Sequence, residues 1–468
     1  MKDREELNYR KEHDGLGEML IPKDALYGIH SARARDNFPV SMRGMDPAFI
    51  KNIALIKKAA ALLNGKTGAL PPEKAEAIAF ACDEIIAGKY LDSFIVDAMQ
   101  GGAGTSANMN ANEVIANIAI KRLGGEYGDY SLIHPIDHVN MYQSTNDVIP
   151  SAGRLTAIDK CSRFLSVLDV LHAALRDKEQ EFDDILKVGR TQLQDAVPMR
   201  VGQGYGAYAA MIERSSAQIK SAMLCLGSIN LGATAIGTAI NVERPYFDGI
   251  VSAVSELYGR ELRRAENLFD ATQNADDFAT VSSAVKVCAI KLSKMASDFR
   301  LLSSGPNSGF CEVQLPAKQS GSSIMPGKVN PVLPEALNQA AFLVMGHDVT
   351  IAQAVEAGQL ELNAFLPVVL FQLFEEIDIL ANAVATFTEN CLRGIVINLN
   401  ECEDDIGRCW SIATALNPRI GYDKSTAIVK KAQKSKKSIF EIARKESGLP
   451  AEELERLLDP HTLTEIKE

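Results

Sequence analysis

Between Asp276 and Leu302 the apolar residues fall at Phe278, Val281, Val285, Cys288, Leu292, Met295, Phe299 and Leu302. The steps alternate between three and four, which sets all of them on one stripe of an α-helix. No Gly or Pro interrupts the run, so the spacing predicts one unbroken helix about 40 Å long with a seam suited to shallow-angle packing. Ile158, Cys161, Leu165, Leu168 and Leu175 make a second seam, and Tyr205 to Ile219 a weaker third. Long helices with few alternating β-branched runs predict an all-α fold around a bundle of long helices. Such helices carry more apolar face than a thin bundle covers, so burial between subunits of a homo-oligomer is expected.

The rest of the chain divides around these helices. Its 468 residues allow two or three domains. Residues 1–142 mix loops with shorter helices, including ones near 51–64 and 72–87. Residues 143–398 hold the long helices, and 399–468 change to short charged helices separated by "LNPRIGYD" and "SGLP". Three domains with those boundaries are expected.

The formal charge of −11 argues against a nucleic-acid partner. The basic stretch "KKAQKSKKS" at 430–438 reads as a solvated helix surface. The N-terminal "MKDREELNYRKEHD" has no apolar core, so neither a signal peptide nor an anchor is expected there. The apolar run "FLPVVLFQLF" is too short to span a bilayer, so no membrane partner is expected either. Eight cysteines lie scattered without CxxC pairing, which reads as reduced, mostly buried thiols in the cytoplasm.

The chemistry-bearing stretch is "SGSSIMPGKVNP" at 320–331, two serines and a lysine among glycines and prolines that forbid a stable helix or a central strand. A phosphate loop is excluded by spacing: Gly321 and Gly327 are five residues apart, and Val329 follows Lys328 where Ser or Thr is needed. "GAGTSA" at 102–107 fits a loose dinucleotide fingerprint, but the polar "NMNANEVIAN" that follows suits no close helix–sheet packing, and no βα alternation ensues. Three other segments share the loop's small hydroxyl and amide side chains: "GTSANMNANE" (104–113), "QSTND" (143–147) and "GRTQLQDA" (189–196). Each by itself could be helix capping. Together they offer many neutral donors, one Lys and no metal or cofactor cluster, an inventory suited to a small dianion.

These segments also carry a resemblance. "GSSIMPGKVNP" is similar to the signature of the aspartase/fumarase superfamily, and "IPKDALYGIHSARARDNF", "GGAGTSANMNANEVIAN", "HVNMYQSTND", "GRTQLQDAVPM", "NLGATAIGTAIN" and "LNPRIGYDK" extend the likeness in order over nearly the whole chain. The resemblance implies an all-α homotetramer with a multi-helix core, each active site built from three subunits, no cofactor and no metal. It implies Ser322 as general base, with Thr105, Ser144, Thr145 and Ser323 on the β-carboxylate of a small dicarboxylate or amino-acid substrate. Thr191, Lys328 and Asn330 would hold the α-carboxylate, and Asn146 and Gln192 would sit near the amino group.

Within the family, "GRTQLQDAVPM", with Gln192 where fumarases have His, resembles aspartases, as do "QSTND", "KVNPVLPE" and "EAGQLELN". "HPIDHVN", "MPGK" and "IGYDK" resemble fumarases. The segments nearest the chemistry point to elimination of ammonia from L-aspartate; hydration of fumarate, or a lyase reaction on an N-substituted aspartate, is the alternative. A secondary dicarboxylate site seen in fumarases near "HPND" is placed in doubt by Ile136, although His134 and Asp137 remain.

Overall fold

The computed structural model describes residues 8–465. The opening of the charged N-terminal stretch, residues 1–7, lies outside the described residues. Helices dominate: α1 Ile29–Asn37, α2 Pro47–Thr67, α3 Pro72–Ile86, α4 Thr105–Arg122, α5 Thr145–Glu181, α6 Val201–Met223, α7 Arg244–Tyr258, α8 Leu268–Gln273, α9 Asp276–Leu302, α10 Val332–Glu356 and α11 Leu366–Asn390. Shorter helices follow between Leu399 and Leu458. Two antiparallel hairpins, β1 Tyr9–Asp14 with β2 Gly17–Pro22 and β3 Leu186–Thr191 with β4 Gln194–Arg200, are the longest β structure among the described residues. The fold is all-α, as the periodicity predicts.

The seam of α9 is buried from Phe278 to Phe299, and only Leu302 in the last turn is half-buried. The α5 seam is buried throughout. Helix α2 starts earlier than the expected 51–64, at Pro47, whereas α3 starts at Pro72 as expected. Asp46 caps α2 by accepting the N–H groups of Ala48 (2.8 Å) and Phe49 (3.3 Å), and Pro47 and Pro72 occupy first-turn positions where no N–H is needed. Gly68, at φ 81°, ends α2 in the left-handed conformation that glycine adopts freely.

The chain divides into two compact units, Met1–Leu165 with Gln218–Val287 and Leu343–Ile379, and Ser166–Ala217 with Cys288–Phe342 and Leu380–Glu468. The division falls inside α5, α6, α9, α10 and α11. In the first unit α2 packs on α3 and α7, and α4 on α1 and α3. Arg154 of α5 pairs with Asp277 of α9 (2.6 Å), Lys286 of α9 with Asp348 of α10 (2.6 Å), and Lys160 of α5 with Asp378 of α11. Gly153 permits close approach there, because a Cβ would lie 2.6 Å from Leu370.

In the second unit Asn338 of α10 donates to the Ser293 carbonyl of α9 (2.9 Å), and Tyr208 of α6 donates to Asp298 of α9 (2.6 Å). Its C-terminal helices enclose a small core of their own around Leu416, Ile428, Ala432, Ile439 and Leu454. The basic stretch at 430–438 is exposed apart from Ala432, as expected of a solvated helix surface. All eight cysteines are free thiols, and six are buried.

Candidate active site

In the first unit the beginnings of α4 and α5 meet. Gly102, Ala103 and Gly104 all have positive φ (84°, 57°, 94°), and a Cβ on Gly104 would lie 2.8 Å from Ile149 of α5. Gly104 of "GAGTSA" therefore serves the close approach of two helices. Thr105, exposed at the first position of α4, donates its hydroxyl to the Gly102 carbonyl at 2.8 Å.

Ser144 caps α5: its Oγ accepts the Asn146 N–H (3.2 Å) while Asp147 Oδ1 accepts the Ser144 N–H (2.9 Å), a reciprocal box. Pro150 inside α5 has no N–H for the Asn146 carbonyl, and the Asn230 amide takes that place at 3.0 Å. Asn146 itself donates from Nδ2 to the Ala235 carbonyl at 2.7 Å, in the "NLGATAIGTAIN" loop. Thr145 is buried, and its Oγ1 accepts from Asn108 Nδ2 at 3.3 Å. Segments 104–113 and 143–147, tied together only by composition in the sequence, thus share one polar cluster.

Under this cluster lies a layer to whose residues the sequence assigns no individual roles, although segment 104–113 stands out in it by composition. Asn108, Asn110, Asn112, Glu113 and Asn117 of α4 are all buried, as are Lys57 of α2 and Asp147 of α5. Glu113 accepts the backbone N–H groups of Gly28, His30 and Ser31, closing the N-terminus of α1 (2.8, 2.9 and 3.1 Å). Its contact with the His30 ring at 3.1 Å raises the proton affinity of that imidazole. The signal in the sequence was the density of Asn along an otherwise apolar helix.

In the second unit, the loop at 320–331 is folded on itself. Gly321 N–H donates to the Lys328 carbonyl at 3.0 Å, and the Asn330 side chain donates to the Gly321 carbonyl at 2.6 Å. A Cβ at 321 would lie 2.2 Å from that Lys328 oxygen, so only glycine fits. Ser322 Oγ accepts two backbone N–H groups, from Ile324 (3.2 Å) and Met325 (3.0 Å). Ser323 and Lys328 are exposed.

Thr191 and Gln192 stand at the exposed tip of the β3–β4 hairpin. Its two-residue turn, Gln192 (φ 55°) and Leu193 (φ 62°), has both central residues left-handed, a geometry that normally selects Asn-Gly. The root is anchored: Glu312, buried, pairs with Lys187 (2.5 Å) and with Arg190, and Arg190 Nη2 reaches Asp405 at 2.9 Å. Arg190 also stacks on Phe310, 4.4 Å from the ring centre.

Residues 17–346 match the family described as Lyase, and residues 412–465 the fumarase C C-terminus. The chain is 46% identical over 455 residues to an aspartate ammonia-lyase from a Bacillus species, covering 97% of each. It is likewise 46% identical over 467 residues to one from Helicobacter pylori J99, covering 98% of this chain and 100% of that one. The chain belongs to the aspartase/fumarase superfamily.

Solved structures of the superfamily superpose closely. A "fumarate lyase:delta crystallin" from Brucella melitensis, bound to cobalt, is 45% identical with a TM-score of 0.95, covering 98% of this chain and 100% of that one. A class II fumarase from Schistosoma mansoni is 34% identical with a TM-score of 0.93, covering 97% and 98%. In this superfamily member the fumarase-like "HPID" turn is self-contained: His134 Nδ1 accepts the N–H groups of Ile136 (3.3 Å) and Asp137 (3.1 Å), and Ile136 is exposed. Among the described residues no group of three or more His, Cys, Asp or Glu side chains is placed to hold a metal ion, and no helix is long and apolar enough to cross a membrane.

Proposed function

We propose that this chain catalyses the reversible anti elimination of ammonia from L-aspartate, giving fumarate through an aci-carboxylate intermediate. It is a carbon–nitrogen lyase. The observation that carries the reading is the full-length likeness, at 46% identity, to aspartate ammonia-lyases, joined to "GRTQLQDAVPM" with an amide, not an imidazole, at 192.

In this reading Ser322 removes the proton beside the β-carboxylate. A serine hydroxyl is a poor base unless its alkoxide is stabilised. The N–H groups of Ile324 and Met325 already point at its oxygen and favour the charged form. Ser144, Thr145 and Ser323, with Thr105 once its hydroxyl turns from the Gly102 carbonyl, receive the charge that builds on the β-carboxylate, where preorganised donors contribute most. Lys328, Thr191 and Asn330 hold the α-carboxylate; Asn330 uses one amide hydrogen within its loop and keeps the other for substrate. Asn146, whose nitrogen is committed to Ala235, presents its oxygen to the substrate ammonium, and Gln192 lies beside it.

The assembly in this reading is a homotetramer with each site drawn from three subunits, working in the cytoplasm, where eight free thiols persist. The test follows fumarate's ultraviolet absorbance from aspartate, malate and an N-substituted aspartate in parallel. Fumarate from aspartate is expected; turnover of malate alone would overturn the reading.

A further inference from the structure

Beneath Ser144 and Thr145, the side chain of Lys57 is fully buried. Its Nζ lies 3.2 Å from Asn140 Oδ1 and 3.2 Å from Gln143 Oε1. Asn108 and Asn112 donate to the same Asn140 oxygen, at 3.1 and 3.3 Å. The other ends of both amides are committed: Asn140 Nδ2 to the Gln143 carbonyl (3.0 Å) and Gln143 Nε2 to the Val139 carbonyl (3.0 Å). One amine thus orients both side chains of the 140–143 turn, and that turn runs directly into Ser144 and Thr145.

Among the described residues no carboxylate forms an ion pair with Lys57. The titratable groups that face it are Cys82 of α3 and Asp147 of α5. Burial pushes the Cys82 thiol up to about 12, so it carries no charge near neutrality. Asp147 spends its oxygens on the N–H groups of Ser144 (2.9 Å), Gly232 and Thr234 (3.1 Å each), and burial pushes its carboxyl up to about 7, so it is a second group that can take up a proton and the Lys57 variants are needed to tell the two apart. A buried amine whose hydrogen-bond partners are all neutral is costly to keep charged, since no opposite charge in contact offsets its desolvation. It gains purpose when a negative charge arrives from outside.

We propose that Lys57 is a positioning residue for the dicarboxylate: it aligns the Asn140–Gln143 turn under Ser144 and Thr145, and it takes up a proton when the dianion binds there. The proposal rests on the assignment of the β-carboxylate to Ser144 and Thr145. Burial brings the amine down to about 7, so part of the Lys57 population is uncharged slightly above neutral pH. A bound dianion favours the ammonium and draws the missing proton from solvent.

Calorimetric titration with succinate at pH 7.5, in phosphate and in Tris, reads the proton uptake directly. The wild type is expected to take up a fraction of a proton per site. Lys57→Met should lose at least half of that uptake and lower kcat/KM for aspartate about tenfold or more. Lys57→Arg, permanently charged, should recover most of kcat/KM while its uptake stays low. A folded Lys57→Met with wild-type kcat/KM and wild-type uptake overturns the proposal. Should neither variant fold, the wild-type titration decides, because heats that are equal in the two buffers also overturn it. A wild type that neither binds succinate nor forms fumarate from aspartate would instead remove the substrate assignment on which the proposal stands.

Discussion

Ser322 and Lys328 occupy one short loop but carry different burdens, and single substitutions separate them. Ser322→Ala removes the base while leaving the carboxylate ligands in place, so turnover should fall by about 10²–10⁴-fold while succinate still binds. Near wild-type turnover would take Ser322 out of the base role. Lys328→Ala removes a charged donor, and KM for aspartate should rise about tenfold or more, since a hydrogen bond to a charged group is worth roughly 1.5–3 kcal/mol; an unchanged KM would contradict the carboxylate assignment. The loop's irregularity was legible because its glycines and prolines exclude regular structure, whereas the roles proposed for Ser322 and Lys328 come from the family resemblance. Lys57 was not legible. In "LIKKAA" it looks like its neighbour Lys58, which pairs with Asp83 at 2.6 Å. Only the packing of α4 and the 140–143 turn onto α2 buries one lysine and leaves the other accessible to water.

The β3–β4 hairpin shows how an element can hold an exposed tip by its root. Glu312 neutralises Lys187 and Arg190 together while itself buried. Glu312→Ala would leave both cations without their shared partner and should cost about 3 kcal/mol, read as a lower midpoint in urea unfolding. The same variant should lower kcat/KM, because Thr191 and Gln192 ride on the hairpin; an intact midpoint would show that the root is not what fastens it. The segment "GRTQLQDAVPM" reads as amide-rich but not as a hairpin, since Gln-Leu lacks the Gly or Asn that advertises a left-handed turn. Gln192 and Leu193 adopt that geometry at a cost of order 1–3 kcal/mol for each sparsely populated backbone conformation. Strain of this kind is met at functional sites and leaves little trace in local sequence.

At the scale of the whole molecule, α10 presents an exposed apolar surface. Its inner stripe, Leu337, Ala341, Val344 and Ile351, is buried, yet Phe342, Leu343 and Val349 are exposed by 59%, 51% and 62%. A helix apolar on both sides calls for a second covering, and another copy of the chain supplies it in the proposed tetramer. Val349→Glu should therefore dissociate the assembly, seen by light scattering as a fall in mass, and activity should fall with it because each proposed site needs neighbouring subunits. A mass unchanged by the substitution would exclude this face as an interface. The long helices with their apolar seams and the hydroxyl-rich loop follow from the chain alone, because helical periodicity and proline or glycine placement are local properties. The burial of Lys57 and Asp147, the meeting of α4 with α5 and the anchoring of the hairpin by Glu312 depend on groups 37 to 122 residues apart in the chain. Burial and charge pairing are created by the neighbours that folding supplies, and no local pattern encodes which neighbours those are.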